Sequence, residues 1–170
     1  MFFVKKHFLP QDLITGIMGY VEKNLASYMW KTNLSWDSTI VEKGGQVSIL
    51  DLKETIFCEQ IKQQYLNLKL LPSLKSFHPQ VYVWQRGSHI PWHDDYSRNK
   101  DYAGSTIYLN VEWDINSGGL FLYKEDNQIK AEVPEYNKMI FLEKIEHAVT
   151  MITPSSPNVR ITMQCFFSYN

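Results

Sequence analysis

The chain is 170 residues long, 44% hydrophobic and 14% aromatic, with a formal net charge of −1. That composition suits a folded chain with a real core and excludes a disordered or low-complexity one. Near-zero charge argues against a polyanion, so no nucleic-acid role is expected, and no stretch approaches the length of a membrane span.

At the start, an apolar run precedes the first lysines, the reverse of a secretory leader. The first predicted helix covers about residues 10–25. Pro10 suits the opening turn, and Leu13, Ile17, Val21 and Leu25 repeat at i, i+4. After Gly44-Gly45 a strand is expected near 46–50. A second helix is expected over about 51–68, with Asp51 and Glu54 as a capping box and Ile56, Ile61 and Tyr65 on its apolar face. Cys58 and Cys165 do not form a disulfide framework, and Cys165 reads as a small core residue. A reducing, cytoplasmic location is therefore expected.

From residue 80 the texture changes. Short runs rich in Val, Ile, Tyr and Phe predict strands at 81–84, 105–111, 120–124, 138–142, 148–152 and 159–168. Turn signals separate them at Ser117-Gly118-Gly119, Asp126-Asn127 and 153–158. Many short strands in series predict a mainly β fold, a sandwich or jelly roll, with the N-terminal helices as a buttress. One domain is expected over 1–170, with helical support over about 1–75 and a jelly-roll core over about 80–168.

Within that core, Pro91-Trp92-His93-Asp94-Asp95 contains His-x-Asp. In a strand, residues i and i+2 share a face, so an imidazole and a carboxylate can converge on one ion. The tripeptide is weak alone. Downstream, His147 opens a strand-like run that ends in the 153–158 turn, and a second strand follows with Arg160, Thr162 and Gln164 alternating against Ile161, Met163 and Cys165. If the two form a hairpin with Ile152 opposite Val159, then His147, Arg160 and Thr162 share a face; a one-residue slip turns Arg160 away. Two histidines and one carboxylate make the facial triad of non-haem iron(II) oxygenases. An inward arginine beside a hydroxyl is shaped for a carboxylate. The charges of an iron(II) ion, Asp95, a dicarboxylate and Arg160 then cancel, which a buried pocket tolerates.

These residues, in this order, resemble the prolyl 4-hydroxylase-like group of iron(II)- and 2-oxoglutarate-dependent oxygenases. The matching pieces are Trp84-Gln85-Arg86-Gly87 ahead of His93-x-Asp95, Tyr108-Leu109-Asn110 with Trp113 ahead of Gly118-Gly119-Leu120, Val133-Pro134 with the run 139–142, then His147 and Arg160-x-Thr162. They span about half the chain; the N-terminal half is similar only through an opening strand and the helix near Pro10. The resemblance implies a double-stranded β-helix, with His93, Asp95 and His147 holding iron(II). It implies Arg160, Thr162 and Tyr108 on the distal carboxylate of 2-oxoglutarate, O2 as oxidant and ascorbate as a reductant. The implied reaction is hydroxylation of a C–H bond, with a prolyl residue of a peptide or protein as the favoured substrate. Trp92, Tyr96, Arg98 and Tyr102 flank the motif as substrate-side candidates.

Four other readings compete. A free amino acid or other small molecule is an alternative substrate. An alkylated-base demethylase carries a second arginine where this chain has Phe166. A cupin needs His-x-His followed by a glutamate. A non-catalytic jelly-roll binding module explains the strands but not the coincidence of a triad with an inward arginine.

Overall fold

The computed structural model describes residues 1–33, 36, 38–69, 74–95 and 102–169. Two antiparallel sheets face each other. In chain order the strands are β1 (Phe2–Lys5), β2 (Trp30–Thr32), β3 (Val47–Asp51), β4 (Ser76–Trp84), β5 (Ile90–His93), β6 (Tyr102–Tyr108), β7 (Phe121–Glu125), β8 (Gln128–Glu132), β9 (Met139–Leu142), β10 (His147–Val149) and β11 (Arg160–Ser168). The larger sheet runs β1-β9-β6-β11-β4-β3-β2 and the smaller β5-β10-β7-β8. From β4 onward the chain passes repeatedly between the two sheets, the winding of a jelly roll or double-stranded β-helix, as expected.

The outer face of the larger sheet is closed by two helices. Helix α1 (Gln11–Lys23) follows Pro10 and buries Leu13, Ile14, Ile17 and Val21, but Leu25 lies past its end and is exposed. A short helix α2 (Ser38–Lys43) comes next, then α3 (Ile56–Leu68). Helix α3 starts later than predicted because Asp51 belongs to β3. The Asp51 carboxylate accepts from the backbone N–H of Lys53, closing a turn at the strand end, and Thr55 occupies the cap position. Glu54 therefore completes no capping box, and Ile56 points to solvent; Cys58, Ile61 and Tyr65 form the buried face. These residues meet Val81, Ile107, Met163, Cys165 and Phe167 in the main core. Strict alternation then turns Gln80, Tyr82 and Trp84, Gly104, Thr106 and Tyr108, and Arg160, Thr162 and Gln164 toward the smaller sheet.

Two expectations need correction. The predicted hairpin between 147–152 and 159–165 does not form: β10 pairs with β5 and β7, whereas β11 pairs with β4 and β6. The intervening segment crosses between sheets. It is tied down by a bridge from Ile152 to Gly118, by Ile152 N–H donating to Ser88, and by Arg86 donating to the carbonyls of Ser156 and Pro157. Strand β8 was not expected at all. Its partner turn was, and Asp126 and Asn127 both adopt positive φ there, as a two-residue hairpin requires. The predicted strand at 105–111 stops at Tyr108, after which the Asn110 side chain continues the ladder by bonding Val159 O and Ile161 N.

Candidate metal centre and anion pocket

His93 closes β5 and His147 opens β10, and the two are direct cross-strand partners with ring centroids 4.2 Å apart. Asp95 lies two residues beyond the end of β5, in a turn rather than in the strand, so the expected i, i+2 strand geometry does not apply. Its carboxylate still reaches both rings: Oδ1 is 3.7 Å from His93 Nε2 and Oδ2 is 3.8 Å from His147 Nε2. One ligand atom from each of the three lies within 4.8 Å of the others, and they form a group able to hold a metal ion.

The second nitrogen of each ring fixes its role. His93 Nδ1 lies 2.9 Å from Pro91 O and His147 Nδ1 lies 3.0 Å from Ile145 O. A carbonyl can only accept, so each Nδ1 carries a proton and each Nε2 is the nitrogen that faces Asp95. Such outer bonds orient metal-binding imidazoles. Burial holds His147 below the ordinary imidazole value of 6.5, against the pull of Asp95, and Phe121 stacks on its ring. The neutral, metal-competent form is thereby favoured. A Cβ at Gly104 would meet Asp95 Oδ2 at 3.4 Å, about van der Waals contact, so a larger side chain there would press on the carboxylate.

A cavity of about 340 Å³ opens beside the triad, lined by aromatic and amide side chains. Trp36 packs over Tyr82 and Trp84, and Tyr102 stacks on Phe166. Gln80, Thr106 and Gln164 supply the polar atoms. Arg160, Thr162 and Tyr108 do not line this space themselves but sit behind it. Arg160 is fully buried, its guanidinium carbon 5.2 Å from the ring centres of both Trp84 and Tyr108. Among the described residues, none of its three nitrogens makes a hydrogen bond, and neither does the Tyr108 hydroxyl. Burial pulls the guanidinium below its ordinary pKa and raises that of Tyr108. Thr162 Oγ1 accepts from Trp84 Nε1 at 2.9 Å and from Gln164 Nε2 at 3.2 Å, so its own proton remains to be given. Three orphaned donors on a buried cation, a tyrosine hydroxyl and a threonine hydroxyl match one carboxylate.

The structure thus brings His93, Asp95 and His147 together, and Arg160, Thr162 and Tyr108 together, although His147 and Arg160 arrive from opposing sheets rather than one hairpin. Tyr102 lines the cavity. Trp92 does not: it lies on the other face of β5, partly exposed, with the Lys124 ammonium 5.1 Å from its ring. Tyr96 and Arg98 lie outside the described residues. Sequence reading leaves Gln80, Tyr82, Thr106 and Phe121 unassigned. Parity from Trp84 and Tyr108 would have found the first three; nothing in the sequence points to Trp36.

A family model described as the 2OG-Fe(II) oxygenase superfamily matches residues 77–168. Among solved structures, a Pseudomonas putida prolyl-4-hydroxylase aligns over 99% of this chain and 92% of its own, with 20% identity and a TM-score of 0.76. A Trichoplax adhaerens prolyl hydroxylase, in complex with a hypoxia inducible factor oxygen degradation domain peptide fragment, aligns over 98% and 83% with 16% identity and a TM-score of 0.78. The non-haem α-ketoglutarate-dependent epimerase SnoN from nogalamycin biosynthesis aligns over 98% and 78% with 10% identity and a TM-score of 0.72. At these identities the shared property is the fold. A search of curated proteins finds no match.

Proposed function

The chain belongs to the 2OG-Fe(II) oxygenase superfamily, and from that premise we propose that it hydroxylates a C–H bond of a prolyl residue in a peptide or protein. His93, Asp95 and His147 hold iron(II). Arg160, with the hydroxyls of Thr162 and Tyr108, holds the distal carboxylate of 2-oxoglutarate. The observation that carries this reading is the buried Arg160 guanidinium, whose nitrogens make no hydrogen bond among the described residues, beside a cavity that carries the triad. An unpaired buried charge is costly, so such a group persists where an anion completes it.

Iron(II), 2-oxoglutarate and O2 together supply the oxidising power, with succinate and carbon dioxide as co-products. The protein supplies placement. Nδ1 bonds lock both imidazoles with Nε2 inward. Phe121 stacks on the His147 ring, and Trp84 and Val149 line the cavity beside the triad. Trp84 holds the anion-binding group together, since its ring lies against Arg160 while its N–H donates to Thr162.

Two observations favour a prolyl residue within a peptide. Two of the structurally similar proteins are named as prolyl hydroxylases. The described lining of the cavity holds aromatic faces and neutral amides but no lysine or arginine to receive the α-carboxylate of a free amino acid. A free amino acid is the second reading, and the epimerase shows that the fold by itself does not dictate the reaction. Mass spectrometry decides between them: the iron-loaded protein with 2-oxoglutarate and ascorbate is given proline-containing peptides and, separately, free proline. A 16 Da gain on a peptide supports the proposal; a gain on the free amino acid alone refutes the peptidyl reading.

A further inference from the structure

Behind Tyr108 sits a second buried cation. Lys138 is 4% exposed and immediately precedes β9. Since β6 and β9 pair with Ile107 opposite Met139, Lys138 falls opposite Tyr108, and Tyr108 N–H donates to its carbonyl. On the other side of β6, Thr162 lies opposite Tyr108. Directly opposed residues share a face, so Lys138, Tyr108 and Thr162 form one row on the inner face of the larger sheet. Tyr108 is flanked by cations reaching in from both neighbouring strands: Arg160 at 5.2 Å from its ring centre and the Lys138 ammonium at 5.9 Å.

The two cations are not equivalent. Among the described residues Arg160 has no carboxylate partner, whereas the Lys138 ammonium is 3.0 Å from Glu132 Oε2, reaching across to the end of β8 in the smaller sheet. Burial raises the Tyr108 pKa, Arg160 pulls it down, and the Glu132 carboxylate adds a smaller upward push. A Lys–Glu pair whose only task was to join the sheets could be replaced by apolar side chains at no loss. Here it adds a positive and a negative charge beside the hydroxyl proposed to meet an anion.

We infer that Lys138 and Glu132 are positioning residues that set the charge behind Tyr108 and so tune the affinity for the dicarboxylate. The inference rests on the cosubstrate assignment above. Each charge acts on the bound anion with opposite sign, and the intact pair nearly cancels. Removing Glu132 leaves a bare cation that attracts the anion; removing Lys138 leaves a bare carboxylate that repels it.

The test is calorimetric titration of 2-oxoglutarate into manganese(II)-loaded protein, which needs no turnover. Glu132→Gln is expected to tighten binding about three- to tenfold and Lys138→Met to weaken it by a similar factor, the range for a unit charge several ångströms away in a partly solvated site. The double variant returns to within about twofold of the unaltered protein, and Lys138→Arg stays close to it. A purely structural strap predicts that both single variants weaken binding together. Shifts of the same sign, or none, while the unaltered protein binds and Arg160→Met does not, overturn this inference alone. No binding by the unaltered protein overturns the Arg160 assignment and this inference with it. If Lys138→Met does not fold, the sign of the Glu132→Gln shift decides.

Discussion

Arg160→Met should change the stability of the protein without cosubstrate little while destroying its affinity for 2-oxoglutarate. The substitution keeps much of the side chain's volume and removes a guanidinium that is fully buried and makes no hydrogen bond among the described residues. Exchanging a buried charge for a well-packed apolar side chain is neutral or stabilising by about 1–4 kcal/mol. Against this stand two ring contacts at 5.2 Å, each worth about 0.5–2 kcal/mol. The two ranges nearly cancel, so the net expectation is a stability within about 2 kcal/mol of the unaltered protein, or a Tm within roughly 4–8 °C for a chain of this size. With cosubstrate the two proteins differ. Stripping the partner from a buried carboxylate costs about 3–5 kcal/mol, which is about two to nearly four orders of magnitude in Kd. At a ligand concentration 100 times Kd the unaltered protein gains about 2.7 kcal/mol, and the variant gains essentially nothing. Melting curves with manganese(II), with and without 2-oxoglutarate, read both effects. A variant that melts lower without ligand and keeps its ligand-induced shift would show that Arg160 serves the core and not an anion.

Three further outcomes are expected. Gly104→Val places branched carbons against the Asp95 carboxylate, where even a Cβ reaches 3.4 Å; manganese(II) affinity should fall at least about tenfold with little change in Tm, as measured by calorimetry. Gly119→Ala introduces a Cβ at φ +67° and 2.9 Å from Arg160 Cδ; backbone strain of about 1–2 kcal/mol and a displaced guanidinium should weaken 2-oxoglutarate binding while sparing metal binding. For pH, His147 is held below its unfolded value, mainly by burial. The unfolded chain therefore binds a proton that the folded chain refuses, so stability rises with pH through the window below 6.5 and is lost on acidification. Thermal melts of metal-free protein between pH 5 and pH 7 should show that slope (both limits are roughly one unit or so around the ordinary imidazole value), and His147→Gln should flatten it.

Much of this site was legible in the sequence because its chemistry is carried by residue types that are rarely interchangeable. His93, Asp95, His147, Arg160 and Thr162 could be proposed from residue type, order and family resemblance, although the strand pairing used to join them does not form, and the jelly roll from the rhythm of short strands. Long-range pairing could not. The apolar patterns at 147–152 and 159–165 are those of two inward-facing strands, and nothing in them says whether the strands share a sheet or face one another. His147 and Arg160 meet the same interior either way, which is why the residues were found despite the wrong pairing. Strand β8 escaped because it is a short polar edge strand with no buried residue to give it an apolar pattern. Asp51 was read as a helix cap because an acidic residue ahead of a helical pattern looks the same whether it caps the helix or ends a strand. Trp36 reaches the cavity from outside the jelly roll, and local sequence carries no trace of that placement.

The most direct measurement is succinate formed from 2-oxoglutarate by purified, iron(II)-loaded protein under air, beside His93→Ala. Decarboxylation that the unaltered protein performs and the variant lacks is the predicted result, and it requires no knowledge of the substrate. Equal succinate from both proteins would mean that His93 does not hold the catalytic metal and would contradict the proposed centre.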